Sequence, residues 1–300
     1  MVEKITSLLA FVLVLLTGMV QAQDDLFSEL DEVQTEDVKY ETAFFKQTRV
    51  VNSPSIEMTA PGVMNFMIQH RFGTINNGFY DLFGIDNSQV RLSFDFGLTP
   101  YLMVGIGRSG LEKTFDLNTK LRILRQQKGT RNIPVSVSFY GATFYKTLKS
   151  INELTTANRL SYLGQVIIAR KFSPNFSLQV SPTIVHENLT ELRSVDNDIF
   201  AIGVGARQKV SKRVAINFDY VYRLPGNYLT NTYNSLALGV DIETGGHVFS
   251  LHLTNSRGMF DKAYVTETYG DLGNGDLYFG FNINRVFTVA KSREKKELGL

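Results

Sequence analysis

The chain contains neither cysteine nor tryptophan. Without cysteine there can be no disulfide, which suits a cell-envelope protein that needs none but does not fix a compartment. Without tryptophan, any aromatic belt at a membrane interface falls to the 22 Phe and 13 Tyr. Beyond the first two dozen residues no apolar run reaches the roughly 20 residues a spanning helix needs, so helical membrane insertion is excluded. The formal charge is only +2, with no basic block and no RNA-binding motif, so no nucleic-acid partner is expected. No cofactor is implied.

What is present begins with Lys4 and an apolar stretch from Ile5 to Val20, closed by Val20-Gln21-Ala22 and succeeded at once by Asp24 and Asp25. That is the layout of a secretory signal peptide, 1–22, cleaved after Ala22. An acidic arm comes next, with Leu26, Leu30 and Val33 at helical spacing among Glu29, Asp31, Glu32, Glu36 and Asp37. The whole stretch 23–62, arm included, is read as a periplasmic segment. Within it, Phe44 to Met58, which contains Pro54, suits a plug, a short extra strand or a docking segment.

From Val63 the hydrophobic period becomes two. In Val90-Arg91-Leu92-Ser93-Phe94-Asp95-Phe96 every even residue is apolar and every odd one polar. The same alternation predicts strands near 63–72, 89–97, 101–109, 113–124, 135–145, 159–171, 176–186, 199–209, 213–223, 234–243, 247–256 and 277–287. Twelve strands of about ten residues, an even number, are what an antiparallel transmembrane β-barrel requires. The barrel is assigned to 63–287 and a basic tail to 288–300. Connections after even strands are mostly tight, as at Phe172–Asn175 and Val210–Lys212, and those after odd strands mostly long, as at Gly73–Ser88 and Arg257–Asp276. Short periplasmic turns and longer extracellular loops are the outer-membrane arrangement. Two connections break the rule, a short one at Ser109–Glu112 and a long one at Arg125–Pro134.

A soluble β-sandwich or a lipocalin-like barrel would alternate in the same way. The signal peptide, the loop asymmetry and the lack of any linker between Val63 and Phe287 favour the membrane barrel. The apolar register then meets outer-membrane lipid, where Arg or Lys at mid-depth costs about 2–4 kcal/mol. The opposite register carries the charges. It holds Arg71, Arg91, Lys120, Arg122, Arg159, Arg207, Lys209, Arg213 and Arg223 against Asp95, Asp116, Asp219 and Asp241. A lumen lined this way leans basic and suits anionic solutes. Alternatively the charges pair across strands and brace a narrow or closed interior.

Several stretches resemble a family of Bacteroidota outer-membrane β-barrel proteins of unknown function. They are Gln69-His70-Arg71-Phe72-Gly73, Arg91-Leu92-Ser93-Phe94-Asp95, Val104-Gly105-Ile106-Gly107-Arg108-Ser109 and Asp241 to Phe249, continuing through Thr254 to Phe260. The last block is the most specific, and the resemblance runs from about Thr48 to Phe287. It implies a barrel and brings no substrate or catalytic residue. The aromatic strand Leu277 to Phe287 resembles the terminal strand read by the barrel-assembly machinery, the partner expected during insertion.

Candidate chemistry is sparse. His252 lies in the inward register beside Ser250 and Thr254, and a serine nucleophile would need a base and an orienting group within hydrogen-bond reach. A polar lumen histidine is the plainer reading, as interfacial positions are for His70 and His186. Asp271, Asn274, Gly275 and Asp276 are oxygen-rich but lack calcium-loop spacing, so an ordinary turn is expected and no metal. Gly105 with Gly107, and Gly203 with Gly205, face inward and clear lumen space or allow strand curvature. The expected function is a non-enzymatic, porin-like barrel that passes or binds a small solute. The alternatives are a structural barrel whose acidic arm recruits a periplasmic protein and, behind both, a barrel enzyme.

Overall fold

The computed structural model describes residues 38–129, 131–151 and 153–290. The signal peptide, the acidic arm up to residue 37 and the tail from 291 lie outside the described residues. A separate two-stranded ladder pairs β1 (Lys39–Tyr40) with β6 (Gln127–Lys128). The remaining strands form one closed antiparallel barrel of twelve: β2 (Val63–Thr74), β3 (Ser88–Gly97), β4 (Leu102–Ser109), β5 (Thr114–Leu124), β7 (Ser136–Lys146), β8 (Leu160–Lys171), β9 (Phe176–Glu187), β10 (Asp198–Lys209), β11 (Val214–Arg223), β12 (Ser235–Thr244), β13 (His247–Thr254) and β14 (Tyr278–Thr288). Sequence neighbours pair all the way round, and β14 closes on β2 with Thr288 opposite Val63 and Ile283 opposite Ile68. Closure leaves no strand edge unpaired.

Side chains obey the period of two. In β3, Arg91, Ser93 and Asp95 are buried while Val90, Leu92 and Phe94 face out. In β5, Thr114, Asp116, Asn118 and Lys120 are buried while Phe115, Leu117 and Leu121 are exposed. The barrel thus turns its apolar register outward and its polar register inward, the reverse of a soluble domain. Aromatic rings sit outside at both ends of the wall, with His70 stacked on Phe281 at 4.9 Å towards one rim and Phe172 near Phe176 at 5.9 Å by the other.

One rim is made of tight turns apart from the longer connection from β5 to β7, and it includes β12–β13, where Gly245 and Gly246 have φ of 52° and 146°. A two-residue hairpin of primed type needs positive φ at its centre, which glycine supplies without strain. The other rim carries long loops, apart from the short β4–β5 connection. Four of the charges expected in the lumen lie at these rims instead. Arg213 is exposed in the tight turn before β11, whose start is set by Ser211 Oγ accepting from the amides of Arg213 and Val214. Lys209 ends β10 half-buried. Arg122 reaches over the same rim to the Pro100 carbonyl. Arg159 closes a 3-10 turn before β8 and donates to the carbonyls of Lys146 and Leu148. Alternation continued by one or two residues past a strand's true end misplaces such side chains.

The wall leaves room for its own pairs. Arg91 on β3 grips Asp116 on β5 bidentately, at 3.0 and 2.5 Å, across β4 at Gly107. A Cβ at Gly107 would collide with Arg91 Nη2 and stand 2.6 Å from Asp116 Oδ1. Gly105 makes the same space for Asp95 and Asn118. The outer face tests the architecture. Val166 lies halfway along β8 and points outward, so Val166→Arg should lower unfolding stability in lipid bilayers by about 2–4 kcal/mol. An unchanged denaturation midpoint would contradict a lipid-facing wall.

Candidate functional site: a lumen closed by two inserted segments

Residues 41–62 turn into the lumen from the tight-turn rim as a narrow hairpin. Its legs are tied by the Arg49–Pro54 bridge and by the Ser55 amide donating to the Thr48 carbonyl at 2.9 Å. Glu57 accepts from the amides of Phe44 and Phe45. Val50 to Ser53 form the tip, where the Val50 amide donates to the Ser53 carbonyl at 2.8 Å. The segment from Phe44 to Met58 thus lies inside the barrel, bonded to itself and to the wall.

The wall meets the plug with opposite charges on its two kinds of backbone group. Asp219 on β11 accepts from the amides of Val51, Asn52 and Ser53 at 3.3, 2.8 and 2.8 Å and from Ser53 Oγ at 2.6 Å. Lys120 on β5 donates to the carbonyls of Ser55 and Glu57 at 2.7 and 2.8 Å and, at 3.4 Å, to that of Thr48. Both side chains are almost wholly buried. Around them Arg71 donates to Asn52 Oδ1 at 2.6 Å, Thr48 donates to Asp95 at 2.7 Å, and Gln179 bonds the plug backbone at Pro54 and Ile56. Gln47 reaches Asp241 at 3.4 Å. Hydrogen bonds to a charged partner contribute about 1.5–3 kcal/mol each, enough to hold a segment with little regular structure. The wall yields where the tip presses. A Cβ at Gly205 would lie 3.0 Å from Val50, and one at Gly239 would lie 3.1 Å from Val51.

From the other rim the β13–β14 loop also folds inward. Its helix α1 (Asp261–Thr266) is buried along its whole length, and Met259 and Phe260 precede it into the lumen. Asp261 is where the two insertions meet. Arg49 binds it through both nitrogens, at 2.8 and 3.2 Å, and the hydroxyls of Tyr140 and Tyr264 donate to it at 2.7 and 2.9 Å. Burial by itself would raise the Asp261 carboxyl, but the Arg49 guanidinium outweighs burial and holds it below the usual aspartate value. Burial pulls Arg49 down in turn, and Asp261 more than reverses it, so the guanidinium stays charged. Phe44, Phe45, Val50 and Ile56 of the plug share an apolar cluster with Tyr140, Phe144, Ile167 and Val185 of the wall and with Phe260 and Val265 of the loop. A cavity of about 10 Å³ between Thr48, Pro54, Asp95 and Tyr140 has room for about one water.

The remaining predicted residues take structural positions. Arg91 and Asp116 brace the wall, Arg207 lies buried 3.8 Å from Glu243, and Arg223 ends β11 under the long loops. His252 is buried, and among the described residues neither ring nitrogen has a hydrogen-bond partner. A nucleophile–base–orienter relay needs such a bond, and His252 makes none with a described residue. Asp271 and Asp276 spend oxygens on their own turn, accepting from the Gly273 amide at 2.8 Å and the Asp271 amide at 3.1 Å. Sequence reasoning missed Arg49, Tyr140, Asp261 and Tyr264. The available signals were Tyr140 and Phe144 in the polar register and Met259-Phe260 with Ala263-Tyr264-Val265, an apolar run out of place in an exposed loop.

A family model described as "Membrane bound beta barrel domain (DUF5777)" matches residues 45–287. The chain belongs to this family. The membrane-bound beta barrel domain includes nearly all of the plug and the whole inward loop, so both are part of the family's unit. Among solved structures the chain is similar to the NanC porin, at 8% identity and a TM-score of 0.49, covering 75% of this chain and 98% of that one. It is similar to an outer membrane channel from Pseudomonas putida F1, at 12% identity and 0.47, covering 77% and 98%. A third is the outer membrane protein Omp33 of Acinetobacter baumannii, at 9% and 0.39, covering 75% and 97%. Comparison with curated proteins gives no match.

The Asp261 junction predicts a pH response. A carboxyl held down in the folded protein contributes fully above the unfolded aspartate value of about 3.9 and loses its contribution as pH falls through the lower folded value. Breaking one side of a buried pair costs about 3–5 kcal/mol. Maleimide labelling of a Val51→Cys protein, each rate divided by that of free cysteine at the same pH to remove the loss of thiolate, should therefore stay slow at pH 7 and pH 5 and rise only below about pH 4. Adding Asp261→Asn should make it at least about tenfold faster already at pH 7. Equal rates with and without Asp261→Asn would show that the junction does not hold the plug.

Proposed function

We propose that this protein is a non-enzymatic outer-membrane barrel that passes or binds a small solute and is held shut in this conformation by its own plug. The observation that carries the reading is that Lys120, Asp219, Arg71 and Asp95 bond to the plug, mostly to its backbone. Removing the hairpin would uncover the polar side of the lumen, where Asp95, Lys120, Asp219 and Asp241 stand, and polar groups of this kind line solute pathways through membranes. A barrel meant only as a static pillar could fill its interior with its own side chains.

The basic lean expected of the lumen narrows once the rim residues are set aside. Arg71, Arg91, Lys120, Arg207 and Arg223 then face Asp95, Asp116, Asp219 and Asp241. A nearly balanced lumen gives a weaker anion preference than a ring of uncompensated cations would. In the same reading, export comes after cleavage near Ala22, the assembly machinery inserts the barrel, and the acidic arm offers a handle to a periplasmic protein. The arm runs directly into the first leg of the plug at Glu41, so a partner that pulls the arm would pull the hairpin.

Planar-bilayer recording tests this. The wild-type barrel should be nearly silent, and the pair Lys120→Met with Asp219→Asn should raise open probability at least about tenfold, since each loses a buried charged anchor. A wild type that conducts as well as the variant, or a folded variant that never conducts, would remove the gated-channel reading.

A further inference from the structure

Above the plug, beneath the long loops, the barrel holds a cavity of about 120 Å³. Its lining is mixed, with Phe144, Phe260, Ile199, Val195 and Leu229 among charged and polar side chains. Most of its charges are answered. Lys146 pairs with Glu112, and Lys262 lies between Glu187 at 3.1 Å and Glu267 at 2.5 Å. Burial would lower the Lys262 ammonium, but Glu267 and Glu187 outweigh it and hold it charged. Arg159 spends its guanidinium on backbone carbonyls.

Arg223 is different. It is only 7% exposed, yet among the described residues no carboxylate lies within ion-pair distance. One nitrogen donates to Thr232 Oγ1 at 2.9 Å and the guanidinium sits 4.7 Å from the centre of the Tyr228 ring, while Nε, also buried, has no partner at all. A buried guanidinium with a free N–H is costly unless an anion completes it. Its planar fork matches a carboxylate best.

We infer that this cavity is a binding site for a small monocarboxylate with an apolar body, its carboxylate on Arg223 and its hydrocarbon against Ile199, Leu229 and Phe260. Drug-sized pockets are larger, and this one accommodates a ligand of a few carbons. The acidic pair that shares Lys262 leaves a net negative charge elsewhere in the lining, which disfavours a second carboxylate. The site deepens the proposed solute role by naming a ligand class, but occupancy is read without transport, so either idea can fail alone.

Calorimetric titration of the full-length barrel in nonionic detergent tests it, with butyrate, butylammonium and succinate as probes. Butyrate should bind, and butylammonium and succinate should bind at least about tenfold more weakly. Arg223→Gln, checked for folding by heat-modifiable gel mobility, should weaken butyrate at least about tenfold. No butyrate heat in the wild-type protein, or butylammonium bound as well as butyrate, would overturn the assignment without recourse to any variant. Unchanged affinity in folded Arg223→Gln would overturn it equally. Butyrate binding with a silent double variant in the bilayer would leave a carboxylate-binding barrel that is not a gated channel.

Discussion

A charge sealed inside a membrane barrel must find partners or neutralise, and in this protein the partners are the peptide groups of an inserted hairpin. Asp219 gathers three amides at the tip and Lys120 gathers carbonyls from the legs. Each side chain needs the plug as much as the plug needs it, because an unpaired charge at that depth costs several kcal/mol and an unpaired peptide group nearly as much. The wall, the hairpin and the inward loop therefore form one electrostatic unit. The glycines at 205 and 239 are a consequence, since they mark where wall backbone must stand aside for Val50 and Val51.

The lumen has two characters as a result. Along β7 to β10 apolar side chains stand among the polar ones, and Phe144, Leu163, Ile167 and Val185 receive the rings and branched side chains of both insertions. Elsewhere it is polar and anchors the tip. Fully burying an apolar side chain of this size contributes about 1.5–3 kcal/mol, so the hydrophobic side supplies affinity while the charged side sets register.

The barrel was legible in the sequence because its wall obeys a strict local rule. In β3 and β5 each residue's face is set by its neighbour's, and no long-range information is needed. The rule weakens at strand ends, where Arg122, Arg159, Lys209 and Arg213 drift to the rims. It fails for β8, where Leu163 and Ile167 are as apolar as the lipid-facing Tyr162 and Ile168, since the lumen there is a hydrophobic core. The pairing of Arg49 with Asp261, 212 residues apart, leaves no local trace. Phe44 to Met58 admitted three roles because short polar and apolar residues around a proline set no period.

The central claim is that the tip of the hairpin is docked on Asp219 in the folded membrane protein. Amide hydrogen exchange at Val51, Asn52 and Ser53 measures it most directly, in bilayers and without a mutation. Docking predicts protection of these three amides comparable to that of mid-strand amides in β11 and β12. Exchange at the rate of an exposed loop, in a barrel whose strands remain protected, would contradict it.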